Sequence, residues 1–320
     1  DCNMSDTCNN QGRAFEYAFI TILETEIRPF HTVRIEQNSS LKAAKDAWNK
    51  ISAEMRSLLE NGAKAGILKL FDLEPLLSET AQDPIVLKIQ TDTKGENGDV
   101  RDIVISRDGI KWEIGLSLKH NHFAVKHSRL SPKIDFGEKW YGVSCSADYW
   151  NAVNPVFDLL EKKQEEHTLW CDLPEKALTI YRPLLNAFLK EVETACQKSN
   201  KIPRRLVEYL LGKFDFYKII SLDRQKTTKI QPMNLRGTLN KAALNKKPVL
   251  LINKTDLPTR LVKAEFKPNS NNTVEIYLNN GWSFSFRLHN AEKEIKPTVK
   301  FDIELIGMPA GIITIDCDWR

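Results

Sequence analysis

Apolar positions at helical spacing dominate the first quarter of the chain. In the first such segment they recur every three or four residues, at Phe15, Ala18, Phe19, Ile22 and Leu23. This spacing places them on one face of an α-helix. It predicts a helix over residues 11–27, a second over 40–62 that begins at the N-cap Ser40, and a third over 63–77. The chain therefore opens with a helical region.

The pattern then changes to strands. Residues 84–89 and 102–106 are short and rich in Val and Ile, which is typical of β-strands. Asp108-Gly109 lies between two apolar runs and predicts a two-residue hairpin turn. Residues 111–119 alternate between two faces. The apolar face carries Trp112, Ile114, Leu116 and Leu118, and the polar face carries Glu113, Gly115, Ser117 and Lys119.

The second half combines helices with a strand-rich end. Residues 154–166 and 173–198 are predicted to be helical. Six short strands are predicted after Pro248, at 249–252, 260–266, 273–278, 282–288, 299–306 and 312–317. These elements predict an α+β chain with a β-rich C-terminal region and a domain boundary near residue 200, which divides it into 1–200 and 201–320.

Charge is distributed unevenly along the chain. The 320 residues include 46 Lys+Arg and 42 Asp+Glu, a net charge of +4. Residues 198–263 alone contain 16 Lys+Arg and 4 Asp+Glu, an excess of 12, so the remainder carries −8. Aromatic residues lie among these charges, at Tyr209, Phe214, Phe216 and Tyr217. The basic block indicates a polyanion-binding surface, and the alternative is a solvated lysine-rich face.

Cysteine usage and hydropathy bound the cellular context. The six cysteines are scattered and form no CxxC pair, so we expect free thiols in a reducing compartment. No apolar run approaches the roughly 20 residues of a membrane span. The polar residues 1–12 lack the apolar stretch of a signal peptide. These observations predict a cytoplasmic protein with no membrane partner.

The hairpin carries the candidate chemistry. With a two-residue turn, Asp102 would lie opposite Gly115 and share the face of Glu113 and Lys119. Asp99 would point to the reverse side, and a one-residue shift in register would exchange the two aspartates. Carboxylates with a lysine suit metal-assisted phosphodiester hydrolysis, since carboxylate oxygens bind Mg²⁺ and a lysine stabilises negative charge. The alternative is a surface hairpin with ordinary charges.

A basic segment follows the hairpin directly. Residues 119–133 contain three of the six histidines and no acidic residue. Because no Cys or acidic partner stands at zinc spacing, a phosphate- and base-contacting segment is the preferred interpretation. Asn121 and Arg129 are its candidate base readers. The triplet Asp135-Phe136-Gly137 does not indicate a kinase, because no glycine-rich loop or HRD segment accompanies it.

Three segments resemble the type II restriction endonucleases of the HaeIII type. The central one runs from residue 98 to residue 139 around SLKHNHFAVKHSRLS. The others are residues 281–307, GWSFSFRLHNAEKEIKPTVKFDIELIG, and the opening helix at residues 11–16. They span the start, middle and end of the chain, and the central motif is long and specific.

The resemblance implies a PD-(D/E)xK nuclease, a mixed sheet flanked by helices that cleaves double-stranded DNA with Mg²⁺. Asp102 matches the first acid of that pattern and Lys119 matches its lysine. Ser117 stands where the pattern has its second acid, so another carboxylate must replace it, either Glu113 or Glu16. The carbonyl of Leu118 is a further candidate metal ligand.

The resemblance also implies a GGCC recognition site and a cognate DNA methyltransferase as functional partner. The sequence leaves both a monomer and a homodimer open. Residues 1–200 would form the catalytic core and residues 201–320 the DNA-binding region. Candidate DNA contacts are Asn121, Lys126, His127, Arg129, Arg204, Arg205, Lys226, Lys229 and Arg236. The alternatives are a non-catalytic nucleic-acid-binding protein, or a non-specific, RNA-directed or repair nuclease on the same core.

Overall fold

Two compact units make up the chain in this computed structural model, which describes residues 4–91, 98–290 and 292–320. Unit 1 combines residues 1–123, 212–255 and 310–320, and unit 2 combines 124–211 and 256–309. This division differs from the segments 1–200 and 201–320, which were drawn from the change from helices to short strands along the chain. The assignment of catalysis and DNA binding to those two segments stays a prediction.

A seven-stranded mixed sheet is the centre of unit 1. Its order is β1-β2-β3-β4-β6-β7-β12, with β1 and β2 parallel, β4 and β6 parallel, and the other pairs antiparallel. The strands are β1 (Val33–Ile35), β2 (Ile85–Ile89), β3 (Ile103–Arg107), β4 (Trp112–His120), β6 (Phe216–Leu222), β7 (Thr227–Met233) and β12 (Ile315–Asp318).

Three helices belong to unit 1, namely α1 (Met4–Ile27), α2 (Ser39–Lys50) and α3 (Ala53–Leu73). The helix predicted over 40–62 is interrupted, because Ser52 is extended and its side chain accepts a hydrogen bond from the backbone of Met55. An N-cap of this kind starts a new helix. The short 3-10 turn Pro75–Leu77 then follows α3.

The core of unit 1 lies between these helices and one face of the sheet. The apolar face of β4 is buried there, with Leu116 fully inaccessible, together with Phe15 and Phe19 of α1 and Ile67 of α3. The alternation predicted for β4 is confirmed. Its apolar side packs on helices, and its polar side is the opposite face of the sheet.

The β3–β4 turn is longer than predicted. Asp108–Ile110 forms a 3-10 turn, and Lys111 adopts a left-handed conformation at φ 52°. Val104 therefore pairs with Gly115 rather than with Glu113, so the predicted register was wrong by two residues. A shift of two keeps every side chain on its predicted face, because side chains in a strand alternate with a period of two.

Unit 2 is a five-stranded antiparallel sheet packed on helices. Its order is β5-β11-β10-β9-β8. The strands are β5 (Lys126–Leu130), β8 (Leu261–Phe266), β9 (Thr273–Leu278), β10 (Ser283–His289) and β11 (Val299–Gly307), and the helices are α4 (Phe136–Tyr141), α5 (Ala147–Glu165), α6 (Arg182–Lys198) and α7 (Ile202–Leu211). Trp140, Phe188, Phe286 and Phe301 pack ring against ring in its core.

The predicted fold class is confirmed as α+β, with a mixed sheet flanked by helices and a β-rich C-terminal part. Residues 249–252 are not a strand, because Asn240 hydrogen-bonds Leu250 and Ile252 within a loop. The basic block contains α7, β6 and β7, which hydrophobic patterning did not predict. Within the described ranges, no helix is long and apolar enough to cross a bilayer.

Candidate active site

Asp102 and Lys119 lie together where β3 begins and β4 ends. The Asp102 N–H donates to Leu116 O over 2.8 Å, which aligns the residue with β4. Its carboxylate Oδ2 accepts the Leu118 N–H over 2.6 Å and lies 3.8 Å from Lys119 Nζ. Both side chains are partly exposed, at 27% for Asp102 and 20% for Lys119. The structure therefore brings the predicted acid and lysine into one partly open site.

Arg101 separates Glu113 from that pair. Its side chain crosses β4 above Gly115, where an added Cβ would overlap Arg101 Cδ. The guanidinium donates to Glu113 Oε1 over 2.6 Å and to both oxygens of Asp99 over 2.8 Å. Burial lowers the pKa of Arg101, but the hydrogen bonds with Asp99 and Glu113 outweigh that effect and raise it. Glu113 is therefore paired with Arg101, which lies between it and the Asp102–Lys119 pair.

Asp99, the alternative first ligand, is enclosed rather than available. It is 7% exposed and precedes β3. Its two oxygens accept from Gln90 Nε2, from the Arg101 guanidinium and from the Arg101 backbone N–H. A carboxylate with both oxygens bonded in this way anchors Arg101, whereas Asp102 remains partly open to solvent.

Glu16 borders a cavity near Asp102. This cavity of about 230 Å³ is lined by Arg13, Glu16, Ser39, Ser40, Ala43 and Gln90. The Gln90 backbone N–H donates to Asp102 O over 2.8 Å, so the cavity adjoins the residue that carries the candidate acid. Phe15, beside Glu16 on α1, lies 6.3 Å from the His120 ring at the end of β4. Glu16 is half-buried and has interactions of its own.

The donor set fits a magnesium-type ion. Asp102 Oδ1 accepts no hydrogen bond from the residues that the structure describes, and the Leu118 backbone lies against Oδ2. Across residues 4–91, 98–290 and 292–320, no three His, Cys, Asp or Glu side chains converge as a ready-made cage. Magnesium in nucleases uses one or two carboxylates and keeps water and phosphate as its other ligands. The chemistry of these donors therefore suits it.

The comparison with known families decides the assignment. Residues 12–309 match the family described as HaeIII restriction endonuclease. The chain belongs to that family. A curated relative, the type II restriction enzyme HaeIII of Haemophilus aegyptius, is 50% identical over 318 residues, which is 99% of this chain and 100% of the relative. No solved structure matches. The predicted family and its class, restriction endonuclease, are confirmed.

For this member of the HaeIII family, the end of β4 is fixed by a residue that sequence reasoning missed. Asp223, on the β6–β7 turn, accepts from Asn121 Nδ2 over 3.0 Å and lies 2.8 Å from His120 Nε2. Burial raises the pKa of Asp223, but the hydrogen bonds with His120 and Asn121 together have the larger effect. The pKa of Asp223 is therefore below its usual value. The predicted base reader Asn121 therefore has a structural contact as well.

Three other predicted DNA contacts lie in β5 of unit 2. Arg129 is exposed, and His127 Nδ1 lies 2.8 Å from Asp302 Oδ1. Lys126 Nζ donates to Tyr209 O over 2.9 Å and lies 3.9 Å from the centre of that ring. Burial, with the nearby Lys139 charge, lowers the pKa of Lys126 to about 8. Lys126 is thus the most enclosed of the three.

The predicted contacts of the basic block divide between the units. Lys226, Lys229 and Arg236 belong to unit 1, and Arg204 and Arg205 belong to unit 2. Lys226 is exposed in a left-handed turn, Lys229 pairs with Asp316 over 2.7 Å, and Arg236 Nη1 lies 3.8 Å from Asp215. Their DNA contacts stay predictions.

Lys218 is a further residue that the sequence did not single out. It pairs with Ser117 across β4 and β6, so it shares the polar face of Lys119. It is 3% exposed, and Nζ donates to Phe123 O over 2.6 Å. A lysine within a run of Tyr and Ile was the available signal, because a charge in a buried strand needs a local partner.

Proposed function

We propose that this protein is a type II restriction endonuclease that cleaves double-stranded DNA at GGCC by Mg²⁺-dependent hydrolysis. Membership of the HaeIII family over nearly the whole chain supports the enzyme class. The observation that carries the mechanism is Asp102 Oδ2 at 3.8 Å from Lys119 Nζ in a partly open site. The GGCC site rests on the resemblance to HaeIII-type enzymes.

Asp102 and the Leu118 carbonyl would hold the metal. When bound, the ion supplies Lewis-acid stabilisation of the phosphate and lowers the pKa of the attacking water. Lys119 places a positive charge beside Asp102, where it stabilises the negative charge that develops on phosphorus oxygens. The Leu118 N–H holds Oδ2, and Oδ1 accepts no hydrogen bond from the residues that the structure describes. Water attacks phosphorus, and the 3′-oxygen leaves.

We propose Glu16 as the carboxylate that replaces the missing acid at Ser117. Its cavity adjoins Gln90, which hydrogen-bonds Asp102. Glu113 was the other candidate, for both catalysis and metal binding. Its 2.6 Å bond to Arg101, with that side chain lying above Gly115, argues against such a role.

Phosphate contacts would come from the exposed cations, Arg129 and Lys226 foremost, with Lys229, Arg236, Arg204 and Arg205 as further positions. Asn121 and His127 would contribute from the segment after β4, and Lys126 would support it from the buried side. We further propose that the enzyme acts as a homodimer on its twofold-symmetric site and that a DNA methyltransferase protects the host copy of GGCC.

Digestion of a DNA of known sequence tests the proposal. The wild-type protein should give discrete fragments that end at GGCC with Mg²⁺ present and none in EDTA. Lys119→Ala and Asp102→Asn should each lower the cleavage rate by at least about a thousandfold, because the first removes a positive charge beside the reacting phosphate and the second weakens the metal site. DNA binding by Lys119→Ala should remain within about threefold of wild type, as befits one phosphate contact among several.

Each other digest outcome identifies a rival. A smear would indicate a non-specific or repair nuclease, and binding without cutting would indicate a plain nucleic-acid-binding protein. Normal cleavage by Lys119→Ala would remove the proposed site. Glu16→Gln and Glu113→Gln form the matched pair for the second carboxylate: only Glu16→Gln should shift the Mg²⁺ concentration that gives half-maximal rate.

A further inference from the structure

A second cavity of unit 1, of about 580 Å³, lies beside the first residues of β4. Its walls come from the β3–β4 turn, from residues 213–215 before β6 and from the loop after β7. Five basic residues line it, namely Arg101, Lys111, Lys213, Arg236 and Lys241. This concentration of cations makes the cavity a candidate anion site.

The two acidic residues in the lining are already bonded to protein groups. Glu113 accepts from Arg101 over 2.6 Å, and Arg101 also bonds Asp99, so this arginine adds no net positive charge to the site. Asp215 is buried, and its oxygens accept the backbone N–H groups of Leu235, Arg236 and Thr238. These acids therefore organise the wall, and the positive charge that a ligand can meet comes from Lys111, Lys213 and Lys241.

Three lysines at the cavity face solvent. Lys111, Lys213 and Lys241 are exposed, and in the described part of the chain their ammonium groups make no hydrogen bond or ion pair. Arg101 is the fixed cation, since its guanidinium also lies 4.0 Å from the centre of the Phe214 ring. The site thus offers three adjustable lysines beside an arginine that two carboxylates already hold, and lysine ammonium groups are common phosphate ligands.

The cavity is close to the candidate active site along one strand. Arg101 directly precedes Asp102, and its side chain lies on the polar face of β4 that carries Ser117 and Lys119. From Ser117, where Asp102 lies, to Glu113 is four strand residues. That is about 13 Å, the axial rise of about four nucleotides of one DNA strand.

We propose that this cavity binds a backbone phosphate of the DNA substrate within about four nucleotides of the phosphate that is cleaved. The inference rests on the proposed function, because a strand that follows β4 from Lys119 would place its flanking phosphates at these cations. A free phosphate ion has the same chemistry, and the experiment separates the two sources.

Methylphosphonate substitution provides the test, since it removes the charge of one phosphate at a time. Each phosphate up to six nucleotides on either side of the cut is replaced, and duplex binding is measured by fluorescence anisotropy in EDTA. Wild type should lose about tenfold in affinity at one flanking position within four nucleotides, the value of one charge-assisted contact.

The double variant Lys213→Gln/Lys241→Gln should bind unmodified DNA about tenfold more weakly than wild type. Methylphosphonate at that flanking position should not weaken its binding further, because the variant and the methylphosphonate remove the same interaction. Lys111→Gln is an independent second variant. The matched control is Lys64→Gln, on α3, which packs on the sheet face of Ile219, opposite to Ser117 and Lys218. The control should behave as wild type.

The inference is overturned if the affinity losses from the double variant and from the methylphosphonate add. It is also overturned if methylphosphonate lowers affinity equally at every position. Inorganic phosphate that binds the wild type but not the double variant, without displacing DNA, would reassign the cavity to a free anion. If the unmodified duplex is cut while the losses add, only this inference fails. If that duplex is neither bound nor cut, the proposed function fails and the inference with it.

Discussion

At the scale of single residues, the absence of a side chain at Gly115 gives Arg101 room to cross the polar face of β4. Arg101 then lies between Glu113 and the Asp102–Lys119 pair. A side chain at this position would occupy the space that Arg101 crosses to reach Glu113. The Arg101 guanidinium is held by Asp99 and by Glu113, so it cannot simply move aside. The missing Cβ at Gly115 therefore gives the Arg101 side chain the room it needs to reach Glu113.

Gly115→Ala should destabilise the protein by about 2 kcal/mol, the usual cost of overpacking a buried site. Urea unfolding followed by tryptophan fluorescence would measure the change. Gly12→Ala is the control, since an added Cβ there meets nothing within 4 Å and the residue lies in α1. That variant should be stabilised by about 0.5–1 kcal/mol. Equal stability of the two variants would contradict the packing argument.

Glu74 is a buried carboxyl away from the candidate active site. It is fully inaccessible, and its Oε1 accepts from the Tyr217 hydroxyl and the Asn240 N–H, each over 2.6 Å. Burial raises the pKa of Glu74 to about 7, against the lowering effect of those hydrogen bonds. The folded state therefore keeps a proton that the unfolded state releases near pH 4.5.

Wild type should accordingly lose stability relative to Glu74→Gln as pH rises from about 4.5 to about 7. Protonated Glu74 stabilises the fold fully at a pH below the unfolded-state pKa of 4.5. This stabilisation is lost as the pH rises through the folded-state pKa of about 7. The total difference should be about 3 kcal/mol. Chemical unfolding of both proteins at several pH values would measure it, and parallel stability curves would show that Glu74 titrates normally.

Much of the candidate site was predictable at this scale. Alternation along residues 111–119 placed Asp102 and Lys119 on one face, and this survived a register error because the error was an even number of residues. The contact of Glu113 with Arg101 was not predictable. It depends on the side chain of Arg101, which lies just before β3 and crosses Gly115, and neither spacing nor composition encodes that path.

At the scale of elements, loops built on single buried polar residues matter as much as helices and strands. Asp215, 3% exposed, holds the loop after β7 through the backbone N–H groups of Leu235, Arg236 and Thr238 and the Thr238 hydroxyl. Sequence patterns identified residues 249–252 as a strand because they are apolar. The hydrogen bonds of Asn240 make them part of a loop instead.

Asp215→Ala should cost at least about 3 kcal/mol, because several backbone donors would lose a charged acceptor at once. Thermal unfolding would show the loss, and hydrogen exchange should rise at residues 235–238 first. Asp316→Ala is the control, since Asp316 is largely exposed and pairs with Lys229 at the surface. Its effect should stay below about 1 kcal/mol. Unchanged exchange in the loop would exclude the anchoring role.

At the scale of the whole molecule, the charge block and the sheet follow different divisions of the chain. The excess of 12 positive charges in residues 198–263 suggested a separate basic region. In the structure β6 and β7 from that block lie in the same sheet as β2, β3 and β4. Long-range strand pairing is set by tertiary packing, and local sequence does not encode it.

If the enzyme cuts both strands of a symmetric site, two chains should assemble on one duplex, each with its own Asp102–Lys119 pair. Sedimentation of the protein with a GGCC duplex in EDTA should therefore give a complex of two chains per DNA. A complex of one chain per duplex would contradict the homodimer.

DNA binding should also fall steeply with salt, and Lys226→Gln should reduce the slope of log K against log salt by about 1.

The seven-stranded sheet joins strands from both ends of the chain, and this has a consequence for the cell that makes this enzyme. Its strands come from Val33–Ile35 at one edge and from Ile315–Asp318 at the other, with the Asp102–Lys119 strands between them. A polypeptide still on the ribosome, or one cut short at residue 200, lacks three of the seven strands. Truncated chains should therefore be harmless to the genome, and toxicity should arise only from completed copies.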